Sequence, residues 1–337
     1  MGGVMQPERD RSAPPDAAKI DVAVIGLGLM GRSIAACLLG AGHRVTGITN
    51  DPVSRDQSRE RVRAFLEEMI AEEIAKAPAA ALIDRFSVAT SYSEIAGCSI
   101  VFESVTEDIE LKRSIFREIE AVVPPGTIIA TNTSAIPISL LQNRAQHPER
   151  FVGIHWDEPA HITRFMEIIP GERTAPAFID RVVALTPFWN KEASVLKRDI
   201  RGFITNRISY AMFREACHLV ESGACTVEDV DRSLRNDVGW WIPFAGPFRY
   251  MDLMGVDAYY RVMRDLLPDL STSSEVPPLM RQVIESGGRG ISNGRGFYSY
   301  TTEEAMRWQE RFNDFNCRIR RLTAEYADLH SPARREE

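Results

Sequence analysis

The chain has 337 residues, 44% of them hydrophobic, enough for one large or two ordinary domains with real cores. Its 47 acidic residues exceed its 40 basic ones, leaving a formal charge of −7, so a nucleic-acid partner held by phosphate neutralisation has no support. No stretch approaches the roughly 18 apolar residues of a membrane span, and the segment before Lys19 lacks the apolar core of a signal peptide, so a cytoplasmic protein with no membrane partner is expected. Cys37, Cys98, Cys217, Cys225 and Cys317 are scattered and form no CxxC pair, so reduced thiols and no metal site are expected.

Residues 1–18 are polar and proline-bearing and read as a flexible tail. The run IDVAVIG is short, β-branched and continuously apolar, as a central parallel strand covered on both faces should be; GLGLMG and the helical pattern SIAACLLGAG follow, then a second strand, HRVTGIT. Together they make a βαβ unit. From Asp51 to about Ala81 the chain predicts a charged helical arm, stopped by Pro78. The strands SVAT, SIVFESV, GTIIATN and FVGIHW alternate with helical stretches, which predicts a doubly wound, mostly parallel α/β sheet over residues 19–198. Beyond Arg198 the pattern is all-α, so residues 199–337 form a second, helical domain. In its last helix Trp308, Phe312, Phe315, Ile319, Leu322, Tyr326 and Leu329 recur at spacings of four and three, a stripe suited to a dimer contact or to packing within the subunit.

The turn GLGLMG carries the first functional signal. Gly26 permits the tight turn, Gly28 lets backbone approach a pyrophosphate, and Gly31 allows close helix packing, while Leu29 and Met30 complete the first helical turn, whose free N–H groups suit an anion. Its position between an apolar strand and a helix is the context a dinucleotide site needs. The ribose-reading position falls on Thr49 and Asn50, with an acid only at Asp51. NAD is expected, with NADP the alternative if Arg55 or Arg59 serves a 2′-phosphate.

A dehydrogenase needs a base and a group that fixes its tautomer. His155 ends the apolar run FVGIHW, at the sheet edge where a cofactor crevice opens, and Glu167 lies within the apolar run RFMEII, an odd place for a carboxylate without a partner. A surface histidine and an unrelated strand-edge acid would give the same pattern.

The segments GLGLMG, FESVTEDIELK, TNTSAIPIS, RFVGIHW through RFMEII, GFITNR, AGPFRYMDLMGVDAY and NGRGFYSY follow one another as the motifs of the 3-hydroxyacyl-CoA dehydrogenase family do, so nearly the whole ordered chain resembles that family. The resemblance implies a Rossmann domain with a helical substrate and dimerisation domain, homodimers, and a place in fatty acid metabolism. By position, His155 resembles the catalytic base and Glu167 its orienting acid; Ser134 and Asn206 match polar residues at the substrate oxygens; Glu107, Lys112 and Asn132 match the cofactor side. The implied reaction is hydride transfer interconverting a 3-hydroxyacyl and a 3-oxoacyl group.

Departures from the pattern bear on the substrate. HWDEP puts Asp157 and Glu158 where the family usually has an aromatic residue and asparagine. The arm, which in the family offers lysines near the CoA phosphates, carries Glu67, Glu68, Glu72 and Glu73 with Lys76, and Trp240 and Trp241 stand where smaller residues are common. Glu158 and Trp241 are therefore candidate substrate contacts, and a free 3-hydroxy acid, as in the related carnitine and gulonate dehydrogenases, is the alternative substrate. An inactive dinucleotide-binding relative, like the lens crystallins of this superfamily, is the alternative from another class.

Overall fold

The computed structural model describes residues 19–327, so the expected tail at 1–18 and Leu329 lie outside the described residues. The described chain forms two compact units dividing between Ile204 and Thr205. The chain thus stays with the first unit beyond the expected boundary at Arg198, because Phe203 is buried in its core and the Ile204 N–H is bonded to Glu167.

In the first unit, β1 (Asp21–Ile25), β2 (Arg44–Ile48), β3 (Phe86–Ala89), β4 (Ile100–Glu103), β5 (Ile128–Thr131), β6 (Phe151–His155), β7 (Phe165–Pro170) and β8 (Glu192–Val195) make one sheet in the order β3-β2-β1-β4-β5-β6-β7-β8. All neighbours pair in parallel except β6 and β7, which are antiparallel. The strand β1 reads as a continuous apolar run because both its faces are covered. Val22 and Val24 join one cluster with Ile34 and Leu38 of α1 (Leu29–Gly40) and Leu66 of α2 (Pro52–Ala71). Ala23 and Ile25 join the other, with Phe116 and Ile119 of α4 (Ile109–Glu120). Each of these side chains larger than alanine, fully buried, contributes about 1.5–3 kcal/mol. The chain order reverses between β1 and β4, the switch point at which a doubly wound sheet opens a crevice at its carboxyl edge.

The arm departs from expectation. Its helix α2 stops at Ala71 rather than at Pro78: Glu73 takes a left-handed φ of 57°, and the N–H groups of Ile74 and Ala75 both return to the Met69 carbonyl. Pro78 instead precedes a short helix, α3 (Ala79–Ile83). Sequence reading saw the proline as a stop, while the earlier end comes from Ala75 turning back into the core. The remaining helices of this unit are α5 (Ile138–Gln142) and α6 (Pro176–Leu185).

The second unit contains α7 (Thr205–Glu221), α8 (Val227–Asn236), α9 (Val238–Met254), α10 (Val256–Leu266), α11 (Pro278–Glu285) and α12 (Thr302–Ala324). In α9, Gly246 at φ 68° ahead of Pro247 breaks the helix into two arms. None of these six helices has a buried residue. Large apolar side chains stand open to solvent, among them Phe248 at 80% and Trp240 at 78% exposure. No helix of the described residues is long and apolar enough to cross a membrane.

Candidate active site

The glycine turn sits at the switch point. The Gly26 N–H bonds the Ile48 carbonyl at 2.9 Å, its φ is 88°, and a side chain there would strike the Ser104 carbonyl after β4. A Cβ on Gly31 would lie 1.8 Å from the Gly26 carbonyl oxygen, so turn and helix close on each other only because both residues are glycine. At Gly28 a Cβ would meet nothing within 4 Å: the chain leaves open space beside the backbone that opens α1, with Leu29 exposed and Met30 half-buried beside it. Open backbone at a helix N-terminus fits a dinucleotide pyrophosphate.

Thr49 and Asn50 follow β2 directly, and the Thr49 hydroxyl accepts from the Asp51 N–H at 3.3 Å. The arginines that could have served a 2′-phosphate are engaged on their own chain, Arg59 by the Phe86 carbonyl and Asp84, Arg55 by Asp56.

Past β4, Lys112 is fully buried, and its Nζ lies 2.7 Å from Glu103 Oε1 and 3.4 Å from Glu107 Oε2, so the pair of Glu107 and Lys112 has its ammonium out of water. Glu103, overlooked in the sequence because FESV reads as a strand end, also accepts from the Val105 N–H and the Thr131 hydroxyl, each at 2.7 Å. The pair ties the ends of β4 and β5 to α4 beneath the loop that carries Glu107. Low dielectric makes such a pair fully satisfied or very costly, which is why lysine and glutamate appear together here.

Glu107 gathers the next loop: Thr133 donates its hydroxyl to Oε1, as do the backbone N–H groups of Ser134 at 3.1 Å and Ala135 at 3.3 Å. Burial alone would raise its carboxyl, but these bonds and the Lys112 charge outweigh it and hold the carboxyl below its usual range. Ser134 is thereby fixed just past β5, exposed at the carboxyl edge of the sheet. Asn132 bonds the Trp156 N–H through Oδ1 at 2.9 Å, linking the end of β5 to the residue after His155.

His155 is the last residue of β6, and Glu167 is its register partner on antiparallel β7. Nδ1 lies 2.8 Å from Glu167 Oε2, both residues are buried, and Oε1 accepts the Ile204 N–H at 3.0 Å. Phe165 and Phe203 pack against the imidazole, with ring centroids at 5.3 and 5.6 Å. The carboxylate fixes the proton on Nδ1 and leaves Nε2 for proton exchange.

Glu158 lies on the loop joining β6 to β7, with its carboxyl raised by burial, then by Asp157 and Glu68. Asn206 and Trp241 belong to the second unit. Asn206 is the second residue of α7, and Trp241 stacks on Tyr250 with centroids 4.2 Å apart. Sequence reading missed His161, which is buried on the same loop as Glu158. No strand-end position or apolar periodicity marks it, and only its odd placement in PAHI could have drawn attention.

The family model for the 3-hydroxyacyl-CoA dehydrogenase NAD binding domain matches residues 21–200, and that for the C-terminal domain of the same family matches residues 202–300. The chain is 34% identical over 289 residues to a 5-formyl-3-hydroxy-2-methylpyridine 4-carboxylate 5-dehydrogenase of Mesorhizobium japonicum, covering 86% of this chain and 93% of the relative. It is 33% identical to a 3-hydroxybutyryl-CoA dehydrogenase of Bradyrhizobium diazoefficiens, covering 83% and 94%. A crystal structure of a 5-formyl-3-hydroxy-2-methylpyridine 4-carboxylic acid 5-dehydrogenase, described as an NAD+ dependent dismutase, superposes with a TM-score of 0.86 at 32% identity, covering 91% of this chain and 99% of that one. The cofactor suited to the glycine turn is NAD.

Proposed function

The chain belongs to the 3-hydroxyacyl-CoA dehydrogenase family, and we propose that it transfers hydride reversibly at a hydroxyl- or oxo-bearing carbon of the 3-hydroxyacyl type, with His155 as general base oriented by Glu167. The observation that carries this reading is the buried 2.8 Å bond between His155 Nδ1 and Glu167 at the carboxyl edge of the sheet. In oxidation His155 Nε2 takes the hydroxyl proton, and Glu167 stabilises the imidazolium that results; in reduction the proton returns. NAD supplies the hydride acceptor in one direction and, as NADH, the donor in the other. Ser134 and Asn206 are the polar partners of the substrate oxygens by family position, a hydroxyl and an amide that suit alcohol and ketone alike. Gly26, Gly28, Leu29, Met30, Gly31, Thr49, Asn50, Glu107 and Asn132 serve the cofactor side, while Lys112 acts there only through Glu103 and Glu107.

A carrier-free acid is the second reading of the substrate. The Glu158 carboxyl, raised by burial and then by the charges of Asp157 and Glu68, sits on the segment that follows the base, an acidic surround that repels the several charges of a CoA carrier more than a single carboxylate. The relative with a ring aldehyde and carboxylate in its name supports the same reading. We assign homodimer formation to the second unit, whose helices bury no residue within one chain and so need a second copy to cover their apolar faces.

A panel of 3-hydroxy and 3-oxo compounds, free and CoA-linked, with a pyridine aldehyde carboxylate, assayed with NAD(H) and NADP(H) at the nicotinamide absorbance band, tests the assignment. Turnover of CoA thioesters supports the first reading and turnover of free acids alone the second. NADH binding without any turnover would make the chain a non-catalytic relative.

A further inference from the structure

The loop at residues 156–164 leaves β6 directly after His155 and returns as β7. It is held by two buried side chains that the proposed proton transfer does not use. Lys191 is 7% exposed and donates Nζ to the Ala160 carbonyl at 2.5 Å and to the Thr163 carbonyl, with the Trp156 ring 5.1 Å from the ammonium. His161, 3% exposed, stacks on Phe65 of α2 at 4.3 Å between centroids. Its Nδ1 lies 2.8 Å from Ser33 Oγ on α1, and its Nε2 lies 2.9 Å from Glu68 Oε2 on α2. Ser33 Oγ also accepts the His161 backbone N–H at 3.1 Å. One proton arrangement satisfies every group: the Ser33 hydroxyl donates to Nδ1, and Nε2–H donates to Glu68.

We propose that His161 is a positioning residue. By binding Ser33 on the helix that opens at the glycine turn, and Glu68 on the arm, it fixes the loop carrying Glu158 as a wall beside His155. The wall sets how firmly substrate is held and leaves the proton transfer itself to His155 and Glu167. The claim rests on the reading of His155 as the base. Three of the loop's residues, 160, 161 and 163, are pinned by groups from α1, α2 and the stretch before β8, so the loop is a preorganised surface, not a lid that closes on substrate.

The test compares the full-length enzyme with His161→Phe, which keeps the stack on Phe65 and loses both side-chain bonds, and with Glu68→Ala against Glu68→Gln. Substrate KM, kcat, NADH affinity by fluorescence, and amide hydrogen exchange over residues 156–164 are measured on each. We expect His161→Phe and Glu68→Ala to raise KM roughly tenfold, the scale of a lost positioning contact, with a smaller change in kcat. Exchange should rise in the loop alone, NADH affinity should be retained, and Glu68→Gln, which keeps an acceptor oxygen, should restore KM. Unchanged KM with faster loop exchange would make His161 a structural brace and overturn the proposal, as would a fall in kcat at constant KM. If the wild type turns over nothing in the panel, the proposed reaction fails separately. Exchange then judges the tether only: a rise confined to the loop leaves His161 a structural brace and no rise removes the tether as well, so either result overturns the positioning claim.

Discussion

His155 and Glu167 stand directly opposite each other across the antiparallel pairing of β6 with β7, twelve residues apart in sequence and 2.8 Å apart at Nδ1 and Oε2. Opposed residues of an antiparallel pair point to the same face, so the register itself delivers the carboxylate to the imidazole. A slip of one residue would turn Glu167 to the other side of the sheet.

Replacing His155 by Ala or Gln should therefore lower kcat roughly a hundredfold or more while NADH still binds, because the base acts on substrate and not on cofactor. Glu167→Gln should retain more activity, since an amide oxygen can still orient the ring but cannot neutralise an imidazolium. Steady-state rates on a confirmed substrate check both, and near-wild-type turnover in the His155 variants would sink the assignment.

The glycines of the turn should separate folding from binding. A methyl group at Gly28 meets no atom of the chain within 4 Å, so Gly28→Ala should fold with a stability within about 0.5 kcal/mol of wild type yet bind NADH at least roughly tenfold more weakly. At Gly31 the same group would sit 1.8 Å from the Gly26 carbonyl oxygen, so Gly31→Ala should lose about 1–3 kcal/mol of stability as well as affinity. Chemical denaturation and fluorescence titration read the two effects separately.

Removing Lys112 should cost stability before it costs cofactor. Lys112→Met leaves Glu103 buried without its cation, a change expected to destabilise the first unit by about 3–5 kcal/mol. Lys112→Met together with Glu103→Gln should recover part of that loss, because a neutral amide at 103 can still accept the Val105 N–H at its oxygen and donate its NH2 to the Thr131 hydroxyl oxygen. A double-mutant cycle of unfolding free energies measures the coupling, and additive effects would mean that the pair contributes nothing as a pair.

The helical unit offers the test of assembly. Phe312 and Phe315 are 58% and 56% exposed in a single chain, so replacing both by Glu places charge on a surface that the subunit itself does not bury. If a second copy covers α12, the double variant should be a folded monomer by light scattering, since unpaired charge at a closed interface is costly. A folded dimer would move the contact to another face of the second unit.

Local chemistry in this chain was legible wherever a side chain's role follows from its own strand or turn. The apolar run of β1, the glycine spacing before α1 and the strand-end positions of His155 and Asn132 all announce a parallel sheet with a nucleotide turn. Periodicity and glycine stereochemistry act over a few residues and need no partner. Termini of elements were less legible, as the end of α2 shows: a proline marks where a helix must stop, while Ala75 seeking the core marks where it does stop.

Contacts between distant segments belong to the tertiary structure alone. Lys112 is expected from sequence only as a cofactor-side companion of Glu107, five residues before it, yet parallel pairing of β4 with β5 sets Glu103 beside Thr131, and Glu103 holds the lysine out of water. Glu167 is expected from sequence as the acid that orients His155, but only the β6–β7 register brings the two side chains together, and His161 carried no signal because Ser33 lies 128 residues before it. The sequence by itself determined the elements and the turn, since those depend on each residue's own backbone and neighbours; only the folded sheet decided which charges are paired, because pairing depends on distance in space and on the loss of water around both partners.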